Sequence, residues 1–126
     1  MQTPTKQILL VEDDRFLRRA SSASLRQRGW AVLTAADGEQ ALTMAGREAI
    51  DLILLDMLMP KLRGLDVMRA LKANEKTQAI PVLILSNSSR EDDVEEVMRL
   101  GAVGYLVKSN LSLQDLCDRV AQLLEG

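Results

Sequence analysis

The side chains able to do chemistry stand just past the ends of short apolar runs. Glu12 and Asp13 follow Ile8 to Val11, Asp56 follows Leu52 to Leu55, Ser86 follows Val82 to Leu85, and Lys108 follows Leu106 and Val107. If these positions meet, three carboxylates within a few ångströms repel by a few kcal/mol per pair at an effective dielectric near 20, so something positive must compensate. The chain has no histidine, which removes the commonest zinc ligand and the commonest general base together. A metal here is therefore hard and oxygen-bound: Mg²⁺, or another divalent such as Mn²⁺, takes carboxylates, water and a phosphate oxygen. With the charge neutralised, Asp56 can act as a nucleophile and form an acyl phosphate. Ser86 would donate a hydrogen bond to one phosphoryl oxygen. Lys108 would set a point charge on another, or pair with Asp56 when no phosphoryl group is present. Taken singly, each residue has a plainer role: an acidic pair that caps a helix, a turn serine, a solvated lysine. Their conjunction carries the reading.

Runs this apolar, separated by helix-length segments, are expected to be strands of a parallel sheet buried on both faces. Strands pointing the same way deliver the residues that follow them to one edge, where open α/β folds place their ligands. After the first strand, Asp14 is expected to cap a helix with Phe16, Leu17, Ala20, Ala23 and Leu25 inward and Arg18, Arg19, Gln27 and Arg28 mostly outward, stopped by Gly29. A second strand spans Ala31 to Ala35, and Asp37 with Gln40 forms a capping pair for a helix running to about Glu48. The third strand is Leu52 to Asp56. A loop from Met57 to Gly64, held out of helix by Pro60, leads to a helix with Leu65, Met68 and Leu71 at helical spacing. Ile80-Pro81 starts the fourth strand, Ser88 or Ser89 caps a fourth helix with Glu91, Asp92 and Asp93 in its first turns, and Gly101 ends it. The fifth strand is Val103 to Lys108. Ser112 with Asp115 then opens a fifth helix that turns Leu116, Val120, Leu123 and Leu124 inward. The pattern is (βα)5, a doubly wound α/β fold.

A chain of 126 residues has the size of one domain, here 1–126 with a core of about 6–124. It is 47% apolar but only 2% aromatic, so aliphatic residues must supply the packing. A net charge of -2 offers no basic field for direct binding of nucleic acid. The lone Cys117 rules out an internal disulfide and reads as a small buried hydrophobe in a reducing cytoplasm. The polar stretch Met1 to Gln7 has no signal-peptide core, and no apolar run approaches the ~20 residues that span a bilayer, so a cytoplasmic protein without membrane contact is expected.

The segments ILLVEDD (8–14), LLDMLMPKLRG (54–64), VLILS (82–86) and GYLVK (104–108) resemble the receiver domain of two-component response regulators, the CheY-like, flavodoxin-like fold. That resemblance implies a five-stranded sheet in the order 2-1-3-4-5. It also implies phosphorylation of an aspartate by a histidine kinase or histidine phosphotransfer protein. Asp56 matches the phosphoacceptor, Glu12 and Asp13 the acidic pair, Ser86 the switch hydroxyl, Lys108 the lysine and Tyr105 the switch aromatic. Asp13 and Asp56 would bind Mg²⁺ directly, the backbone carbonyl of Leu58 would be a third protein ligand, and Glu12 would act through water. Such a domain catalyses only its own phosphorylation and dephosphorylation. It passes the signal to a target protein through the fourth helix, fifth strand and fifth helix, with Val94, Met98 and Tyr105 on that face, as a monomer or a phosphorylation-dependent homodimer. A chain without histidine cannot carry the donor phosphohistidine itself.

Three positions depart from the family pattern. Ser109 replaces the usual proline after the lysine. A cis bond costs ~0.5–1 kcal/mol before proline but ~2.5–4 kcal/mol before other residues, so a trans Lys108–Ser109 bond is expected. Asn87 is bulkier than the usual small residue and would narrow the path to Asp56. Leu58 presents an apolar side chain that would slow attacking water and lengthen the life of a phosphoaspartate. Ser109 and Asn87 motivate an alternative, a receiver that binds partners regardless of phosphorylation. A phosphohydrolase with an aspartyl nucleophile is disfavoured, because Leu58 stands where that chemistry needs a second acid. A nucleotide- or flavin-binding fold is disfavoured by the lack of a glycine-rich loop after the first strand.

Overall fold

The computed structural model describes residues 5–57, 59, 62–86 and 91–125, with backbone alone at 91–93. In chain order the elements are β1 (Gln7–Val11), α1 (Arg15–Gln27), β2 (Ala31–Ala35), α2 (Gly38–Arg47), β3 (Leu52–Asp56), α3 (Gly64–Ala73), β4 (Val82–Ser86), α4 (Glu91–Arg99), β5 (Gly104–Val107) and α5 (Leu113–Glu125). The strands form one parallel sheet in the order β2-β1-β3-β4-β5. The expected fold class is the one observed.

The pleat of the strands divides the core in two, because alternate residues face opposite sides of a sheet. Leu9, Val11, Ile53, Leu55, Val82 and Ile84 pack with Ala41, Val67, Met68 and Val97, from α2, α3 and α4. Ile8, Leu10, Leu52, Leu54, Leu83 and Leu85 pack with Leu25, Leu116, Cys117 and Val120, from α1 and α5. The central strands are buried on both faces, which is why they lack the polar alternation of a one-sided sheet.

The expected caps form. Asp14 Oδ1 accepts from Leu17 N at 2.9 Å, and Asp37 Oδ1 accepts from Gln40 N at 2.9 Å while Gln40 Oε1 accepts from Ala36 N at 2.8 Å. Ser112 Oγ accepts from Asp115 N at 3.0 Å, and Asp115 Oδ2 accepts from Ser112 N at 3.3 Å, the reciprocal pattern that satisfies two orphan donors. Gly29 and Gly101 take φ of 98° and 105° at the ends of α1 and α4, a left-handed conformation that glycine adopts without steric cost. The caps expected at Ser88 or Ser89 lie outside the described residues.

Two expectations are corrected. The inward face of α1 carries Ser22 and Leu25, whereas Phe16 is 79% exposed and Leu17 40% exposed. Arg18, expected outward, is half-buried. It holds the backbone at the end of β1, so the turn that apolar periodicity assigned to Phe16 is taken by a guanidinium with hydrogen-bonding work. The second correction is at β5, which ends at Val107; Lys108 begins a 3₁₀ turn over Lys108–Asn110. No peptide bond among the described residues is cis, so Lys108–Ser109 is trans.

Candidate functional site

Strand register builds the site. Val11 pairs with Leu55, so Glu12 and Asp56 stand side by side at the tips of β1 and β3. Asp56 pairs with Leu85, and Ser86 with Val107, which puts the serine and Lys108 at the neighbouring tips. Glu12, Asp13 and Asp56 each offer a carboxyl oxygen, and these oxygens lie within 4.8 Å of one another. Asp13 is exposed, whereas Glu12 and Asp56 are buried.

Lys108 spans the buried pair. Its Nζ lies 3.1 Å from Asp56 Oδ2 and donates a short hydrogen bond to Glu12 Oε1. The other oxygen of Glu12, Oε2, accepts from Asp14 N at 3.2 Å. Burial raises the pKa of Asp56 to about 7; attraction to Lys108 opposes this rise, and Glu12 adds to it. For Lys108, burial acts to lower the pKa, but the hydrogen bond to Glu12 and the attraction of both acids prevail, and the net direction is upward. One cation is thus shared by two buried acids, and Asp56 is left with an energetic demand for further positive charge.

A group of oxygen donors so disposed fits a hard divalent cation: two of the three are shielded, the third is open to solvent, and none is nitrogen or sulfur. Leu58 and Asn87 lie outside the described residues. Ser86 is buried at the end of β4, and Tyr105 is half-buried against the core on the α2–α4 side of the sheet.

Sequence reasoning missed three features. Arg18 Nη1 donates to the carbonyls of Glu12 at 2.9 Å and Asp13 at 3.3 Å, bracing the backbone that carries both acids. Its place one turn after the Asp14 cap was the available signal. Gly64 packs so tightly under the tip of β3 that a Cβ there would lie 2.7 Å from Met57 Cα and 2.8 Å from the carbonyl oxygen of Asp56. A cavity of about 230 Å³ opens between α1, α5 and the turn after β5, with Glu12 and Lys108 in its wall and Leu17 and Leu113 beside them.

The sequence matches the response regulator receiver domain over residues 8–121. It is 41% identical over 121 residues to the transcriptional activator protein PfeR of Pseudomonas aeruginosa, covering 96% of this chain and 38% of PfeR. It is 43% identical over 101 residues to the transcriptional regulatory protein CpxR of Escherichia coli, covering 80% of this chain and 42% of CpxR. The chain thus spans well under half the length of these curated relatives. Among solved structures, the chemotaxis protein CheY4 of Vibrio cholerae superposes with a TM-score of 0.89 at 29% identity, covering 96% of this chain and all of CheY4. The receiver domain of the sensor histidine kinase PA1611 of P. aeruginosa, with magnesium coordinated in its active-site cleft, gives 0.86 at 30% identity, covering 98% of this chain and 100% of that domain. The chain belongs to the response regulator receiver domain family of two-component signalling.

Proposed function

We propose that this receiver takes a phosphoryl group onto Asp56 from a phosphohistidine on a partner histidine kinase or phosphotransfer protein. The observation that carries the reading is the meeting of Glu12, Asp13 and Asp56 at one edge of the sheet, with the half-buried Lys108 bridging Glu12 and Asp56. In the transfer, a carboxylate oxygen of Asp56 forms a bond to phosphorus as the phosphorus–nitrogen bond of the donor breaks. The electron pair stays with the departing imidazole, which then takes a proton from solvent. Mg²⁺ held by Asp13 and Asp56, with the Leu58 carbonyl and with Glu12 through water, would neutralise the charge between the carboxylate and the incoming oxygens. Asp56 is ready for attack because its pairing with Leu85 of β4 and its burial hold it in place at the strand tip. Lys108 moves its charge from the carboxyl of Asp56 to the phosphoryl oxygens, so it meets developing charge without entering from solvent. The domain turns over no separate substrate and catalyses only its own gain and loss of phosphate.

The donor docks over the cavity between α1 and α5, where Leu17 and Leu113 are 40% and 38% exposed and Phe16 stands nearby at 79%. The output leaves through α4, β5 and α5. Ser86 turns toward the phosphoryl group, Tyr105 follows it inward, and a face that includes Val94 and the 43%-exposed Met98 changes its affinity for a target protein or for a second phosphorylated copy. No helix among the described residues is long and apolar enough to cross a membrane.

The test is intact-mass measurement after incubation with a small acyl phosphate and Mg²⁺. Wild type is expected to gain one phosphoryl group and Asp56→Asn none. A wild-type mass that stays unchanged while the protein still binds a kinase would establish the phosphorylation-independent module instead.

A further inference from the structure

Helix α1 carries Arg15, Arg18, Arg19 and Arg26 and no acid between Arg15 and Gln27. These four arginines line one groove of about 290 Å³ between α1 and the edge strand β2, with Ser22, Ala23 and Thr34. Two of the guanidiniums are anchored: Arg18 to the carbonyls of Glu12 and Asp13, and Arg26 to the carbonyl of Val32 at 2.9 Å. Each keeps further N–H donors, since a guanidinium has five. Arg15 and Arg19 are exposed and have no hydrogen-bond or ion-pair partner among the described residues. Between them and Arg26 lies Ser22, which is only 5% exposed and whose Oγ has no hydrogen-bond partner.

A buried hydroxyl without a partner destabilises the fold, and in native structures such a group calls for an explanation. Four arginines along one groove, with no carboxylate among its lining residues, leave a concentration of positive charge that calls for one too. A single kind of ligand answers both, one that brings several negative oxygens at close spacing. A planar guanidinium meets phosphate, like carboxylate, with two parallel hydrogen bonds, and linked phosphates bring the greater charge and number of oxygens that several arginines require.

We propose that the α1–β2 groove binds a small, multiply charged phosphate compound, with Arg15, Arg19 and Arg26 pairing to its oxygens and the Ser22 hydroxyl turning to one of them. The size of the groove limits the ligand to a few phosphoryl groups. A nucleic acid strand is the poorer occupant, because the basic residues do not continue into a track: Asp13 and Asp14 adjoin the N-terminal end of the groove, and the chain as a whole carries a net charge of -2. The site is separate from the one at Asp56 and does not depend on phosphotransfer there.

Isothermal titration with sodium tripolyphosphate, in buffer free of divalent ions, tests the proposal. Wild type should bind one equivalent, and more tightly than it binds orthophosphate. The Arg15→Gln/Arg19→Gln double variant should weaken binding by at least tenfold, and Ser22→Ala by several-fold. Ser22→Ala should leave the melting temperature unchanged or raised, because it removes an unsatisfied buried hydroxyl; a destabilised double variant therefore leaves a second reading of the site. Absence of binding, tripolyphosphate affinity indifferent to both variants, or tighter binding of a duplex oligonucleotide of equal charge would each overturn it.

Discussion

The tips of β3 and β5 hold the two ends of one ion pair in opposite settings. Every residue of β3 is buried, and its terminal Asp56 side chain is 4% exposed. On β5 only Gly104 is buried, the other three residues are half-buried, and the Lys108 side chain that follows is 14% exposed on a 3₁₀ turn rather than a strand. Under the proposed phosphotransfer, an acceptor that must meet phosphorus in line gains from a position fixed by its neighbours. Under the same proposal, a cation that trades a carboxylate for phosphoryl oxygens gains from a seat at the sheet's edge, where a small backbone movement involves few packed side chains.

The strongest way to break that comparison is to remove the cation. Lys108→Ala leaves Glu12 and Asp56 buried without their shared partner, and breaking a buried pair in this way costs about 3–5 kcal/mol. Urea unfolding at pH 8 should show a loss of that order, and a smaller one at pH 5, where protonation relieves Asp56. Phosphorylation by a small acyl phosphate should slow by roughly 10²–10³-fold, the usual cost of losing a donor aimed at developing charge. A variant of normal rate would place Lys108 outside the chemistry.

Acidity provides the next test. Burial holds the Asp56 pKa at about 7, above the ordinary 3.8, so between these values the folded state binds the proton and the unfolded chain does not. Stability without metal should therefore fall as pH rises from ~4 to ~7 and then level off, by at most about 4 kcal/mol for this group. Mg²⁺ favours the ionised carboxylates, so it should raise the melting temperature far more at pH 7.5 than at pH 5. An Asp56→Asn protein should lose most of the pH slope. Equal Mg²⁺ effects at both pH values would detach the metal from Asp56.

The same contrast governs what the sequence discloses. β3 is legible to the residue, since Leu52 to Asp56 is an unbroken apolar run that only a doubly covered strand explains. Asp56 is legible with it, because a charge directly after such a run has to sit at the sheet's edge. At Lys108 the run-on rule misplaces the end of the strand, because the backbone leaves the ladder one residue early and no side chain announces it. Helix α1 is less legible still. Its apolar Phe16 faces solvent and its Arg18 faces in, because a hydrogen bond to the carbonyls of the β1 tip decides the orientation there, and periodicity reads only hydrophobic burial. Expectations for Leu58 and Asn87 rest on the residues alone.

A paired glycine substitution sharpens the comparison at its smallest scale. At Gly64, a Cβ would collide with backbone at the end of β3, at 2.7 Å from Met57 Cα and 2.8 Å from the Asp56 carbonyl, and backbone in a fully buried strand cannot yield. Gly64→Ala should cost about 1–3 kcal/mol, as overpacking does, and should also slow phosphorylation by displacing the acceptor. At Gly104, in β5, the nearest atoms to a Cβ are Arg119 Nη2 and Leu83 Cδ1, both at 3.0 Å and both at the ends of side chains. The guanidinium end can turn aside, and the fully buried Leu83 methyl need give by only a few tenths of an ångström. Gly104→Ala should therefore cost under about 1.5 kcal/mol in urea unfolding and leave the phosphorylation rate unchanged. If the two substitutions prove equally costly, the edge strand is as rigid as the centre, and Lys108 would then need some other freedom to follow the phosphoryl group.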